Sequence, residues 1–202
     1  MCGISGVFHY HDRASVNKRL LQRMNDFLQH RGPDDEGFYY DEAAGLGLGH
    51  RRLSIIDLNT GHQPLSNEDG TVWIVFNGEI YNYQDLRLEL QTLGHQFKTK
   101  TDTEVIVHAY EQWGMDSFPR LNGMYAFALW DGKTQTLVLA RDPYGVKPLY
   151  YWDNGKSLLF ASEIKAILCH PKVNREIDPQ SLDEFLTFSF IPSPRTIFAG
   201  IK

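Results

Sequence analysis

Cysteine stands at position 2, directly behind Met1, and opens the run Cys2-Gly3-Ile4-Ser5-Gly6-Val7-Phe8. As a small apolar residue it would begin a buried strand. Exposed as the first residue by removal of Met1, it would instead carry a thiol and an α-amine on one carbon. Its small side chain permits that trimming. An α-amine has a reference pKa of roughly 7.7–8.0, against ~10.4 for lysine. It is therefore partly neutral near physiological pH and can take the proton from its own thiol.

A nucleophile of that kind needs donors aimed at a developing oxyanion. Asn77-Gly78 follows the apolar run Val72-Trp73-Ile74-Val75-Phe76. Glycine leaves its N–H open to a ligand and an asparagine amide donates beside it. The same dipeptide also reads as a hairpin turn. Arg52 heads Leu53-Ser54-Ile55-Ile56. It can fork onto a carboxylate or serve as a surface ion pair. Asp102 can cap a helix or hold an ammonium group.

The elements that must carry these residues follow from periodicity. Strands are expected at 2–8, 37–41, 46–50, 52–57 and 72–76, the last buried on both faces. Ser15 reads as the N-cap of a helix whose Val16, Leu20, Met24, Phe27 and Leu28 share a face. That helix stops at His30-Arg31-Gly32-Pro33-Asp34. Asn82 caps a second helix with Leu86, Leu90 and Leu93 in register, closed by Gly94. Asp102 caps a third with Ile106, Ala109, Tyr110 and Trp113, ended by Gly114. Met124–Trp130 with Thr136–Ala140, and Leu149–Trp152 with Leu158–Ala161, read as two hairpins. Helices at 163–169 and 179–187 follow, and Ile191-Pro192-Ser193-Pro194-Arg195 reads as an exit linker without a closing element. The pattern is α+β with stacked layers.

Composition narrows the function classes. The chain has 202 residues, 42% of them hydrophobic and 13% aromatic, enough for one well-filled domain. Net charge is −5 with Lys and Arg scattered, which gives no nucleic-acid footprint. No apolar stretch approaches the ~20 residues of a membrane span, and no signal peptide opens the chain. A cytoplasmic protein is expected, and in that reducing compartment Cys2 and Cys169 are not expected to pair. Gly45-Leu46-Gly47-Leu48-Gly49 fails the dinucleotide fingerprint spacing. The eight histidines show no ligand spacing, so no metal is expected, and His9 and His11 read as solvated.

Eight motifs occur in a fixed order: Met1-Cys2-Gly3-Ile4; His30-Arg31-Gly32-Pro33-Asp34; Arg52-Leu53-Ser54-Ile55; Asn77-Gly78-Glu79-Ile80-Tyr81-Asn82; Asp102-Thr103-Glu104-Val105-Ile106; Asn122-Gly123-Met124-Tyr125-Ala126-Phe127-Ala128; Arg141-Asp142-Pro143-Tyr144-Gly145-Val146-Lys147-Pro148-Leu149; and Ala161-Ser162-Glu163-Ile164-Lys165-Ala166. This set resembles the N-terminal glutaminase domain of glutamine-hydrolysing asparagine synthetases, within the class II glutamine amidotransferases. The resemblance covers nearly the whole chain and implies a four-layer αββα sandwich of the N-terminal-nucleophile hydrolase type. It implies Cys2 as nucleophile and base, with Asn77 and Gly78 as the oxyanion hole. Arg52 would hold the α-carboxylate of L-glutamine, in preference to Arg51. Asp102, Glu79 and backbone near Leu53 and Ile55 would hold its α-amine. No chemistry is assigned to His30–Asp34 or to Arg141-Asp142, the latter read as fixing the turn that follows.

The same resemblance implies a glutaminase domain over 1–190 and, over 191–202, the start of a linker to an absent synthetase domain. That domain would use ATP and Mg²⁺ to make asparagine from aspartate; this domain needs no cofactor. An alternative parent would deliver ammonia to a sugar or a cell-surface precursor. The parent is compatible with a homodimer. A chain that keeps Met1 has an amide at Cys2 in place of the amine, and is expected to be inactive.

Overall fold

A computed structural model describes residues 1–54 and 61–202. The strands are β1 (Gly3–Phe8), β2 (Asp35–Asp41), β3 (Leu46–Arg52), β4 (Leu65–Ser66), β5 (Val72–Ile80), β6 (Gly123–Asp131), β7 (Thr136–Arg141), β8 (Tyr150–Asp153) and β9 (Leu158–Ala161). The helices are α1 (Lys18–Asp26), α2 (Tyr83–Thr92), α3 (Asp102–Trp113), α4 (Ile164–Ile167) and α5 (Pro179–Phe188), with a 3₁₀ segment at Gly114–Arg120. One antiparallel sheet has the order β2-β3-β1-β9-β8, the other β4-β5-β6-β7.

Three apolar clusters stack these elements into four layers. Leu86 and Leu90 of α2 and Val105 to Val107 of α3 cover Ile74, Phe76, Phe127 and Leu129 of the second sheet. Leu21 and Met24 of α1 and Ala166 and Ile167 of α4 cover Val7, Leu159 and Ala161 of the first. Between the sheets, Ile4, Leu46, Leu48 and Phe160 meet Val75, Ala126, Ala128 and Trp130. The period-2 alternation of β5 produces this directly: Ile74 and Phe76 face the helices and Val75 faces the other sheet. The architecture is the α+β sandwich of helix, sheet, sheet and helix that the sequence led us to expect.

Local details differ where two capping residues lie close together. Asn17 caps α1, accepting from Leu20 N, while Ser15 donates to Glu42. Thr101 caps α3, so Asp102 is the first helical residue. Asn82 precedes α2 without a side-chain cap bond; its amide joins Arg120 O and Asn122 N. Arg52 ends β3 instead of opening a strand over 52–57; Leu53 and Ser54 belong to no strand, and 55–57 lie outside the described residues. The helix expected at 163–169 is confined to α4. His9 is half-buried and bonded to Ser157, not solvated. Both cysteines are free thiols.

The segment after α5 returns to the domain. Ile201 is buried and pairs with Trp152 of β8, and Ile177 pairs with Phe198. Among the described residues, no helix is long and apolar enough to cross a membrane.

Candidate active site

The register Gly3↔Arg51 of the β1/β3 pair sets the start of β1 against the end of β3. Cys2 therefore meets Arg52 and Leu53. The Cys2 thiol lies 3.5 Å from Leu53 N, which donates to it, and 3.8 Å from Leu53 O. Both line a cavity of about 280 Å³, together with Arg52, Gln63, Asn77, Gly78, Glu79, Thr101, Asp102 and Lys147. Burial pushes the Cys2 thiol up; the Leu53 N–H, the chain-terminal ammonium, Arg52 and Arg31 oppose that without cancelling it. To act as a nucleophile, a thiol held up in this way would need a base.

Asn77 and Gly78, the candidate oxyanion donors, lie near the end of β5. Asn77 is 1% exposed, and its Nδ2 is a buried donor with no acceptor among the described residues. Such a group costs free energy in the resting protein, so its retention points to an acceptor that arrives with the substrate. Gly78 faces Tyr125 in the antiparallel ladder with β6. Tyr81 N donates to Asn122 O across that ladder, and Phe76 N and Ile80 N are bonded on the opposite side, to Gln63 Oε1 and Asp102 Oδ2. Alternation of the ladder turns Gly78 N–H to that same side, towards the cavity. A Cβ at Gly78 would lie 2.3 Å from Met124 O, so only glycine lets the strands approach here.

Strand alternation also separates the two arginines. Arg51 turns towards α1, with Asp26 and Glu36 at 2.9 and 2.8 Å. Arg52 is buried and lines the cavity. Across from it, Asp102 Oδ2 accepts from Ile80 N at 2.9 Å, which fixes the carboxylate. Burial raises the Asp102 pKa, and neighbouring Glu79 adds to that against the backbone N–H bonds. A cationic ligand would reverse that shift. The structure thus gathers Cys2, Arg52, Leu53, Asn77, Gly78, Glu79 and Asp102 around one cavity. Ile55 lies outside the described residues.

Three motifs to which the sequence assigned no chemistry hold this site together. Arg31 Nε donates to Cys2 O at 2.9 Å, and its Nη1 is anchored on Glu163 at 3.1 Å. Gly32 packs against the end of β3, where a Cβ would lie 2.5 Å from Arg52 N. Asp34 N donates to Arg52 O, and Asp34 Oδ2 accepts from Ser54 N at 2.8 Å. Ser162 exchanges two bonds with the Ile4 backbone. Asp142 accepts from the N–H groups of Tyr125, Tyr144, Val146 and Lys147. Burial alone would raise its pKa; those four donors outweigh it and lower it. The turn so fixed brings Lys147 to the cavity wall, where its Nζ lies 3.6 Å from Met1 Sδ.

Gln63, Thr103 and Lys147 carried no sequence signal as cavity residues. Gln63 Nε2 donates to Thr103 Oγ1 at 3.3 Å, and its Oε1 accepts from Phe76 N at 2.7 Å. The amide thus ties β5 to α3 beneath the cavity, a role visible only when both elements are in place. Histidine spacing likewise gave no hint that His95, His108 and Glu111 cluster within 4.8 Å at the far side of α3.

Comparison with known proteins identifies the family and the fold. A glutamine amidotransferase domain family matches residues 1–202. Asparagine synthetase [glutamine-hydrolyzing] 1 of Bacillus subtilis is 45% identical over 204 residues, covering 100% of this chain and 32% of that protein. Asparagine synthetase [glutamine-hydrolyzing] 3 of the same organism is 43% identical over 205 residues, covering 100% of this chain and 33% of its own length. The chain therefore spans about a third of the curated relatives it matches, their N-terminal part. Among solved structures, glutamine phosphoribosylpyrophosphate amidotransferase from B. subtilis superposes with a TM-score of 0.65 at 24% identity, over 83% of this chain and 43% of that one. That likeness shows the shared N-terminal-nucleophile hydrolase fold. A full-length family match and relatives above 40% identity lead to one assignment: the chain belongs to the glutamine amidotransferase family, as a domain of the kind found in glutamine-hydrolysing asparagine synthetases.

Proposed function

We propose that this domain, once Met1 is removed, hydrolyses L-glutamine to glutamate and ammonia, and that the ammonia serves asparagine synthesis in a longer protein. The observation that carries the reading is the convergence on one cavity of the Cys2 thiol, the acceptorless Nδ2 of Asn77, Gly78, Arg52 and Asp102.

The Cys2 α-amine takes the thiol proton, directly or through one water, and the thiolate attacks the side-chain amide carbon of glutamine. Negative charge gathers on the amide oxygen, where Asn77 Nδ2 and Gly78 N–H donate to it. The protonated amine gives its proton to the departing nitrogen, and ammonia leaves a γ-glutamyl thioester on Cys2. Water then attacks the thioester while the amine again accepts a proton. Collapse releases glutamate and restores the thiol. Arg52 holds the substrate α-carboxylate. Asp102 and Glu79, with backbone near Leu53 and Ile55, hold the α-ammonium. Simple amides are rejected because they leave those buried charges unpaired. The domain itself uses no cofactor; ATP, Mg²⁺ and aspartate belong to the synthetase portion, and the whole acts in the cytoplasm.

Glutamate release from L-glutamine tests the reading, with intact mass showing loss of Met1 and Cys2→Ala as control. The expected result is release by the trimmed protein and none by the variant. Equal release by both would refute it.

A further inference from the structure

The carboxylate of Glu104 is nearly inaccessible, yet it faces away from the cavity that Thr101, Asp102 and Thr103 line. It sits in the first turn of α3 and folds back over the loop that leads into the helix. Its Oε1 accepts from Lys98 N at 2.7 Å. Its Oε2 accepts from Thr99 N at 2.8 Å and from Thr99 Oγ1 at 2.7 Å. Thr99 Oγ1 in turn accepts from Thr101 N and bonds Thr101 Oγ1, and Thr101 Oγ1 caps Glu104 N. The circuit closes on itself and sets the backbone immediately before Asp102.

One helical turn further on, His108 Nε2 lies 3.8 Å from Glu104 Oε1 and 3.8 Å from Glu68 Oε1. Its other nitrogen, Nδ1, lies 2.7 Å from Glu111 Oε2. Burial would lower the pKa of His108, but Glu104 and Glu111 outweigh that and hold it up at about 9. Burial would likewise raise the pKa of Glu104. The His108 cation and the Lys98 and Thr99 donors outweigh it and hold the carboxylate down at about 2. Glu104 is therefore a fixed anion at neutral pH.

We propose that Glu104 is a positioning residue for glutamine: by shaping the 98–101 loop it sets the Asp102 carboxylate where the substrate α-ammonium must lie. Asp102 is already tied on one oxygen to Ile80 N. The position of its backbone follows from the 98–101 loop, which Glu104 holds through Lys98, Thr99 and, by way of Thr99, Thr101, alongside the Arg87 Nη1 bond to Thr99 O. The proposal rests on the reading of Asp102 as the ammonium partner.

The test is the dissociation constant measured by calorimetry on the full, Met1-trimmed chain in a Cys2→Ala background. Two ligands are compared: L-glutamine, and 4-carbamoylbutanoate, which keeps the amide and the carboxylate but lacks the ammonium. Glu104→Gln is expected to weaken L-glutamine about tenfold and to move 4-carbamoylbutanoate by less than about twofold. A general loosening of the domain would weaken both alike, and that result, or no weakening of either, overturns the proposal. Asp102→Asn run in parallel separates the two claims. If it leaves L-glutamine affinity unchanged, the ammonium reading itself fails. If it weakens L-glutamine and a folded Glu104→Gln does not, only the positioning role fails. Should Glu104→Gln not fold, Thr99→Val replaces it, removing the hydroxyl that links Glu104 to Thr101. Thr99→Val is expected to give an ammonium-selective loss of about threefold, and a loss equal for both ligands overturns the proposal.

Discussion

Replacing Asn77 by alanine should separate activity from stability. In the resting protein Asn77 Nδ2 is buried and makes no hydrogen bond among the described residues. A donor in that state costs about 1–3 kcal/mol, which truncation relieves. The packing lost borders the cavity and is worth on the order of 1 kcal/mol. The two terms oppose each other, so the variant should match the parent in stability or exceed it by up to about 2 kcal/mol. For a chain of this size that is a rise in melting temperature of no more than roughly 4–8 °C. Catalysis should respond quite differently. The amide donates fully only when the carbonyl oxygen becomes an oxyanion, and losing one such donor costs ~10²–10³ in kcat, or about 2.7–4 kcal/mol. KM should change little, because the ground-state carbonyl gains little from the donor. Glutamate release at saturating glutamine gives the rate, and a urea midpoint gives the stability. A loss of more than about 3 kcal/mol in stability would show that the amide is structural and refute the reasoning. Unchanged kcat in a folded variant would do the same, since the oxyanion would then be held elsewhere.

Other perturbations follow from the same geometry. Gly78→Ala sets a methyl 2.3 Å from Met124 O, and should lower the urea midpoint by an amount equivalent to about 1–3 kcal/mol while abolishing glutamate release. Protein that retains Met1, identified by intact mass, should release glutamate at least ~10²-fold more slowly than trimmed protein, because its Cys2 nitrogen is an amide and not a base. His50 is fully buried, donates Nε2 to Phe76 O at 3.0 Å, and has its pKa lowered to about 4, chiefly by burial. The unfolded chain, with an ordinary histidine near ~6.5, binds the proton first as pH falls. Stability linked to His50 is therefore complete above pH ~6.5 and is lost as pH falls towards 4, by up to about 3 kcal/mol. His50→Gln keeps a donor for Phe76 O and should flatten that acid limb in urea titrations; an unchanged limb would assign it to other groups.

The parts of the fold that could be read from sequence are those whose determinants are local. The apolar run at 72–76, the two hairpins and the shared faces of α1 to α3 each follow from spacing within a few residues. Arg52 was separable from Arg51 only through the family pattern; in the structure, strand alternation supplies the physical reason, sending Arg51 to Asp26 and Glu36 on the helix side. Misreadings arose where neighbouring residues were equally competent. Ser15 and Asn17 can both cap, as can Thr101 and Asp102. Thr101 takes the cap of α3, and Asp102 instead answers Ile80 N, a backbone donor at the end of β5. No local rule contains that strand.

The same distinction explains why some motifs seemed to have no chemistry. His30-Arg31-Gly32-Pro33-Asp34 reads locally as a helix stop, but α1 already ends at Asp26, with Phe27 as its C-cap, and turn residues separate it from the motif. Its side chains, however, are spent on backbone that carries the site: Arg31 on Cys2 O, Asp34 on Ser54 N. Ser162 and Glu163 secure the start of β1 and the Arg31 guanidinium, and Asp142 fixes the turn that bears Lys147. Acyl transfer tolerates little misplacement of its groups; about 1 Å can cost ~10²-fold. A nucleophile at the very start of a chain has covalent support on one side only, so its position must be set by tertiary bonds. The Arg31–Cys2 bond, the Leu53 contacts and the Ser162–Ile4 pair provide them. The proposed nucleophile is placed by residues about 30, 50 and 160 positions away in sequence: Arg31 holds the Cys2 carbonyl, Leu53 N donates to its thiol, and Ser162 fixes the Ile4 backbone of the same strand.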